Sequence, residues 1–180
     1  RMLHALPDRV RSIAMASFLS RGINILEGRR VKVIEKEQVV FDDNTLERFD
    51  IALIATGVRP STLFRDSGLP TGPDNGLLVN SQLQSIAHPE IFGGGDCISL
   101  EGHHLAKIGV YAVRENDILF NNMMASVEGG ALGTFTPQKQ YMLIFNLGNG
   151  KGIFWRKNLI WHGRTAFLLK DYIDRKFMRT

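Results

Sequence analysis

Residues 91–96, with the sequence Ile-Phe-Gly-Gly-Gly-Asp, hold the most informative pattern in the chain. The two apolar residues predict a very short buried strand that delivers Asp96 to a loop in which three glycines remove side-chain bulk. Glycine lets backbone approach a ligand closely, and a carboxylate there can accept two hydrogen bonds from a ribose or another polyol. The pattern predicts a ligand-binding turn; the alternative is an ordinary glycine-rich turn with a capping Asp96.

A second candidate site lies at residues 51–60. Residues 51–55 are apolar at every position, which is typical of a strand that is covered on both faces of a parallel sheet. The run ends at Thr56 and Gly57, and open α/β sheets bind their ligands outside the carboxyl ends of such strands. Thr56 and Gly57 are therefore candidate binding residues, with a simple exit from strand to loop as the alternative.

The rest of the pattern predicts a mixed α/β chain. Apolar residues at helical spacing indicate three helices: one from about Asp8 that ends near Gly22, one between Gly102 and Gly129, and one over residues 164–178. Strands are predicted at residues 23–26, 30–34, 38–41, 46–49 and 77–79, followed by a three-stranded meander at residues 140–147, 152–155 and 159–161.

Composition narrows the class of protein. The 180 residues carry 22 Lys and Arg against 18 Asp and Glu, a net charge of +4, and 44% are hydrophobic, as in a globular protein. No run of five basic residues supports nucleic-acid binding, and no signal peptide or apolar run of about 20 residues is present. A cytoplasmic protein is expected. The single cysteine, Cys97, excludes an internal disulfide, and we interpret it as a small buried hydrophobe.

Two further sequence patterns do not indicate a binding site. His103 and His104 could suggest a metal site, but adjacent side chains point in different directions and no third ligand lies at suitable spacing. A solvated loop is predicted there, and no metal. Residues 148–152, Gly-Asn-Gly-Lys-Gly, precede a strand and not a helix, so they predict a hairpin turn and not a phosphate-binding loop.

Taken together, the chain resembles the second half of the pyridine nucleotide-dependent FAD oxidoreductases, flavoproteins with two dinucleotide-binding domains. Residues 51–60 are similar to the return from the NAD(P)H domain to the flavin domain, and residues 88–96 to the second flavin motif. Residues 107–114 are similar to the helix under the flavin ring. The tail from Pro137 resembles the type II NADH dehydrogenase-like branch, most of all members allied to selenide, water dikinase.

This resemblance implies FAD as cofactor and NAD(P)H as cosubstrate, with hydride passing to the flavin and on to an unknown acceptor, a quinone or a protein. Asp96 would bind ribityl or ribose hydroxyls, and Gly95 would let the backbone close in. Backbone groups around Gly109 and Val110 would face the pyrimidine end of the flavin. Lys107 stands at the family's Lys position before that helix.

The implied fold is α/β, with partial FAD- and NAD(P)-binding, Rossmann-like domains followed by a small β-meander plus helix. Residues 1–55 would complete the NAD(P)H-binding domain, residues 56–130 the FAD-binding domain, and residues 131–180 the meander and helix. Both Gly-x-Gly-x-x-Gly motifs are absent, so they are expected upstream of Arg1, and the 180 residues alone are expected to be inactive. Glu115-Asn116 replaces the family's usual Gln-Gly.

The last helix is the candidate for partner contacts. Its apolar face is broad and interleaved with basic residues, which favours packing on the meander of the same chain or a homodimer contact. The alternative is a peripheral membrane contact or a quinone-access surface. The alternative function for the whole chain is a non-catalytic binding or interaction module derived from the same fold.

Overall fold

The computed structural model describes residues 2–138 and 140–179 and divides them into two units. Unit 1 joins the residues up to Ile54 to those from Gln140 onward, and unit 2 begins at Ala55. The helices are α1 (Asp8–Leu19), α2 (Leu63–Asp66), α3 (Gly109–Glu128) and α4 (Arg164–Phe177). The strands are β1 (Val31–Ile34), β2 (Gln38–Phe41), β3 (Leu46–Arg48), β4 (Leu77–Val79), β5 (Ile98–Leu100), β6 (Leu143–Gly148), β7 (Lys151–Arg156) and β8 (Leu159–Gly163). Among the described helices, none is both long enough and apolar enough to cross a bilayer.

The core of unit 1 forms where α1 and α4 pack on the antiparallel sheet β6-β7-β8. Val10 and Ala14 lie one turn apart on α1 and are buried together with Ile153 of β7. On the same strand, a Cβ on Gly152 would lie 3.1 Å from the backbone nitrogen of Phe167, so glycine lets α4 approach the sheet. The meander and the packing of the last helix on it are therefore confirmed.

A second sheet of unit 1, β1-β2-β3, is antiparallel and largely exposed. Its β2-β3 turn contains Asn44 in the left-handed region, with φ of +61°. The carboxylate of Asp43 accepts a hydrogen bond from the backbone N–H of Thr45 at 3.0 Å, a local closure typical of a hairpin turn. The strands predicted at residues 38–41 and 46–49 are confirmed, and they pair as an antiparallel hairpin.

Unit 2 is built on the parallel pair β4-β5, in which Leu77 lies beside Ile98 and Val79 beside Leu100. All four side chains are buried, and they share one face of the pair because alternate residues of a strand point to the same side. The predicted helix after Gly102 is α3, and Gly129 ends it with φ of +75°.

Three predicted strands are wrong. Residues 23–26 and 51–55 have no strand structure, and Ile51 and Leu53 are 82% and 93% exposed. Residues 91–92 form only an isolated bridge, between Phe92 and Gln84. A β-strand is stabilised by hydrogen bonds to a neighbouring strand. No described strand pairs with residues 23–26 or with residues 51–55. Strand β5, in contrast, was not predicted, and it forms because β4 lies alongside it.

Candidate functional site

A cavity of about 390 Å³ lies inside unit 2, beside β5 and the first turns of α3. Its wall combines the glycine turn with Gly95 and Asp96, the loop that carries Lys107, and the side chain of Glu115 on α3. The volume falls within the range of small-molecule pockets. Three of the predicted binding residues, Gly95, Asp96 and Lys107, therefore meet at one cavity, although they come from two separate motifs.

Each glycine of the turn has its own physical reason. A Cβ on Gly93 would lie 2.7 Å from Cγ2 of Ile98, and a Cβ on Gly94 would lie 3.0 Å from Cδ2 of Leu119. Gly95 has room for a side chain but adopts φ of +72°, a region that favours glycine. The turn thus packs tightly against β5 and α3, and its third glycine sets the backbone direction before Asp96.

Glu115 holds this turn from the helix side. Its Oε2 accepts a hydrogen bond from the backbone N–H of Gly95 at 2.5 Å, and the residue is only 2% exposed. Burial raises the pKa of the Glu115 carboxyl, and the nearby Asp96 adds to this, while the Gly95 hydrogen bond and Lys107 oppose it. The sequence motif indicated that this position is unusual, but not that its side chain lies in the cavity wall.

Lys107 is fixed by a second carboxylate that sequence reasoning missed. Its Nζ lies 2.8 Å from Oδ2 of Asp74 and also donates to the carbonyl of Ile98. Burial opposes ionisation of Asp74, but hydrogen bonds from Lys107, Ser99 and the Gly76 N–H outweigh it and lower the pKa of Asp74 to about 2. The lysine charge is therefore held at the cavity wall by a carboxylate that is ionised at neutral pH.

The other predicted site residues lie elsewhere. Gly109 and Val110 form the first turn of α3, next to the cavity, and no side chain caps this helix end. Thr56 and Gly57 are exposed in an irregular segment and do not line the cavity. The structure therefore does not bring these two residues to the glycine turn.

The interpretation of Cys97 as a small buried hydrophobe is wrong, because the residue is exposed. It ends the short turn Gly95–Cys97, where its Sγ donates to the carbonyl of Gly94 at 3.1 Å. His103 and His104 are exposed in a loop, as predicted, and lie at the rim of the cavity. Across residues 2–138 and 140–179, no three His, Cys, Asp or Glu side chains are grouped so that they could hold a metal ion.

Comparison with known sequences gives a family. The model of the family described as "Pyridine nucleotide-disulphide oxidoreductase" matches residues 1–116. The chain is 26% identical to the mitochondrial internal alternative NAD(P)H-ubiquinone oxidoreductase A1 of Arabidopsis thaliana, with 94% of this chain and 38% of the relative covered. It is 28% identical to the type II NADH:quinone oxidoreductase of Haemophilus influenzae, with 56% of this chain and 23% of the relative covered. The chain thus spans well under half the length of these relatives, and the special likeness to proteins allied to selenide, water dikinase stays a prediction.

Solved structures show the same fold. The sulfide:quinone oxidoreductase of Aquifex aeolicus superposes with a TM-score of 0.68 at 15% identity, covering 93% of this chain and 44% of that chain. The NAD-dependent persulfide reductase of A. fulgidus superposes with a TM-score of 0.65 at 22% identity, covering 87% of this chain and 29% of that chain. The predicted α/β class with Rossmann-type, nucleotide-binding relatives is therefore confirmed.

Proposed function

Because the chain belongs to the pyridine nucleotide-disulphide oxidoreductase family, we propose that it supplies the C-terminal part of an FAD-dependent NAD(P)H oxidoreductase. The cavity of unit 2 would receive part of the flavin nucleotide. The observation that carries the proposal is the meeting of Asp96, the positive-φ Gly95 and Lys107 at one cavity wall. Its volume of about 390 Å³ suits part of a dinucleotide.

The residues present fit such a ligand. Gly95 lines the cavity without a side chain, so a ligand can approach its backbone, and the carboxylate of Asp96 offers two oxygens to sugar-like hydroxyls. Lys107, anchored by Asp74 at 2.8 Å, places a positive charge at the same wall. The N-terminus of α3 adds a partial positive charge close by, which favours negative charge on a bound group.

FAD, when bound, would supply the hydride chemistry, and the protein would bind, orient and electrostatically tune it. In this chain, Asp96 would bind ligand hydroxyls and Lys107 would provide a fixed positive charge. We propose NAD(P)H as the electron donor. The two relatives are named as oxidoreductases that use ubiquinone and quinone, which supports a quinone as one candidate acceptor beside a protein.

The test uses the protein at its natural length. We expect the purified protein to show a flavin absorption spectrum, to release FAD on denaturation, and to oxidise NADH or NADPH when a soluble quinone is added. A colourless protein that binds no added FAD would contradict the proposal and favour the alternative of a non-catalytic interaction module. FAD binding without any oxidation of NADH or NADPH would support FAD as the cofactor and contradict NAD(P)H as the electron donor.

A further inference from the structure

We infer that Glu115 is a positioning residue for the nucleotide, because its carboxylate holds the Gly95 peptide in the conformation that places Asp96 along the cavity. This inference rests on the proposed flavin site and adds to it a residue that touches the turn and not the reacting atoms. Through this one hydrogen bond, the buried Glu115 carboxylate connects helix α3 to the ligand-binding turn.

The geometry supports a specific anchor. Glu115 lies in the second turn of α3, and its Oε2 is 2.5 Å from the nitrogen of Gly95. Gly95 is the residue with φ of +72°, so this hydrogen bond fixes the peptide at which the chain changes direction before Asp96. The neighbouring Gly94 brings the turn close to α3, since a Cβ there would lie 3.0 Å from Cδ2 of Leu119.

Two charged side chains of the cavity wall influence the protonation of Glu115. The charged groups that act on it are Asp96, of the same sign, and Lys107, of opposite sign. Lys107 is itself paired with Asp74 at 2.8 Å, so its charge is shared between two carboxylates. Burial raises the pKa of Glu115 above its ordinary value, and its ionisation therefore lies nearer to neutral pH than that of an exposed glutamate. An uncharged glutamine could accept the same hydrogen bond without this pH dependence.

The first experiment examines the contact without any nucleotide. The natural-length protein is labelled with ¹⁵N-glycine and compared with Glu115→Gln and Glu115→Leu. We expect the Gly95 amide resonance of the wild type to titrate in a step above the ordinary glutamate range, and Glu115→Gln to lack that step. We also expect the Gly95 amide of Glu115→Leu to exchange with solvent at least tenfold faster than that of Glu115→Gln. No such step, together with equal exchange rates, would overturn the contact.

The second experiment measures the dissociation constant of added FAD by fluorescence. We expect Glu115→Gln to match the wild type within about threefold and Glu115→Leu to bind at least tenfold more weakly. Wild-type affinity should also change across the Glu115 titration step, whereas that of Glu115→Gln should not; this comparison decides the question if Glu115→Leu fails to fold. Wild-type-like FAD binding by a folded Glu115→Leu would reject the inference and leave the flavin site standing. A wild type that binds no FAD, with the Gly95 readouts as expected, would reject the proposed function and with it the role toward the nucleotide.

Discussion

Asn122 and Gly133 form a reciprocal hydrogen-bonded pair: the Asn122 Nδ2 donates to the Gly133 carbonyl at 2.9 Å, and its Oδ1 accepts the Gly133 N–H at 2.7 Å. The same Nδ2 donates to the carbonyl of Gln82 at 2.7 Å, and Asn122 is 1% exposed. One buried side chain of α3 therefore satisfies three backbone groups from two loops of unit 2.

We expect Asn122→Ala to reduce the free energy of unfolding by about 1–3 kcal/mol, because it removes three hydrogen bonds made by a buried side chain. Asn121→Ala is the matched control, since Asn121 is the exposed neighbour on the same helix. Urea unfolding followed by circular dichroism measures both. Equal midpoints for the two variants would show that the paired groups find other partners.

Asp74 should give the stability a pH dependence. Its pKa in the fold is about 2 against an ordinary 3.8, so its contribution is complete above pH 3.8 and is lost as the pH falls through 2. Since its side chain is 34% exposed, we discount the effect to roughly 1–2 kcal/mol. Asp74→Asn should therefore destabilise at pH 6 and make much less difference at pH 2. Asp117→Asn, on the exposed face of α3, is the control, and a pH-independent loss in Asp74→Asn would argue against the ion pair.

Asp96 and Cys97 are adjacent and should behave differently. Asp96→Ala removes a carboxylate that would make charge-assisted hydrogen bonds of roughly 1.5–3 kcal/mol each, so FAD should bind at least tenfold more weakly. Cys97→Ser should leave FAD binding and turnover unchanged, because the thiol is exposed and donates only to the Gly94 carbonyl. Flavin content of the two purified natural-length variants is the measurement. Normal content in Asp96→Ala would place the flavin site elsewhere.

Gly76 should tolerate no side chain. A Cβ there would lie 2.7 Å from the carbonyl carbon of Ile98 and 2.9 Å from the nitrogen of Ser99, and backbone cannot move aside as a flexible side chain can. We expect Gly76→Ala to cost about 1–3 kcal/mol of unfolding free energy. Gly130→Ala, whose Cβ would meet Ala125 at an ordinary 3.4 Å, should cost much less in the same thermal unfolding experiment. Similar losses in both variants would point to a conformational and not a steric cause.

Helix α4 should bind membranes weakly at most. Leu168 and Tyr172 are exposed, but two of its basic residues are held in ion pairs on the helix itself, Lys170 with Asp174 at 2.7 Å and Arg175 with Asp171 at 2.9 Å. In co-sedimentation with vesicles, we expect binding to anionic lipid only, abolished by high salt. Salt-resistant binding that Leu168→Gln with Tyr172→Gln removes would establish an apolar membrane contact instead.

Sequence patterns predicted the elements whose partners are close in the chain. The hairpin β2-β3 and the meander β6-β7-β8 close over short turns, so alternation and turn residues suffice to identify them. Residues 51–55 have the composition of a buried strand, but strand formation depends on a neighbour that composition does not contain. The missed strand β5 is the converse case, because its hydrogen bonds come from β4.

The candidate site was predicted in part for the same reason. Gly95, Asp96 and Lys107 belong to local motifs and do meet at the cavity. Asp74 and Glu115 act only through tertiary contacts, with Lys107 and with the Gly95 peptide, and their own sequence surroundings do not reveal these partners. The one local signal at Asp74 is its place in the tight turn of residues 72–76, where an Asp is ordinary.

The parallel pairing of β4 and β5 has a consequence for the order of folding. The chain between Val79 and Ile98 must close into a loop before any hydrogen bond of this pair can form, whereas β6-β7-β8 forms from neighbouring residues. Closure of longer loops costs more entropy, and distant contacts slow folding. In pulsed hydrogen exchange, the amides of β7 should gain protection before those of β4. A chain that refolds from denaturant would then pass through a stage with a finished meander and an unformed nucleotide cavity.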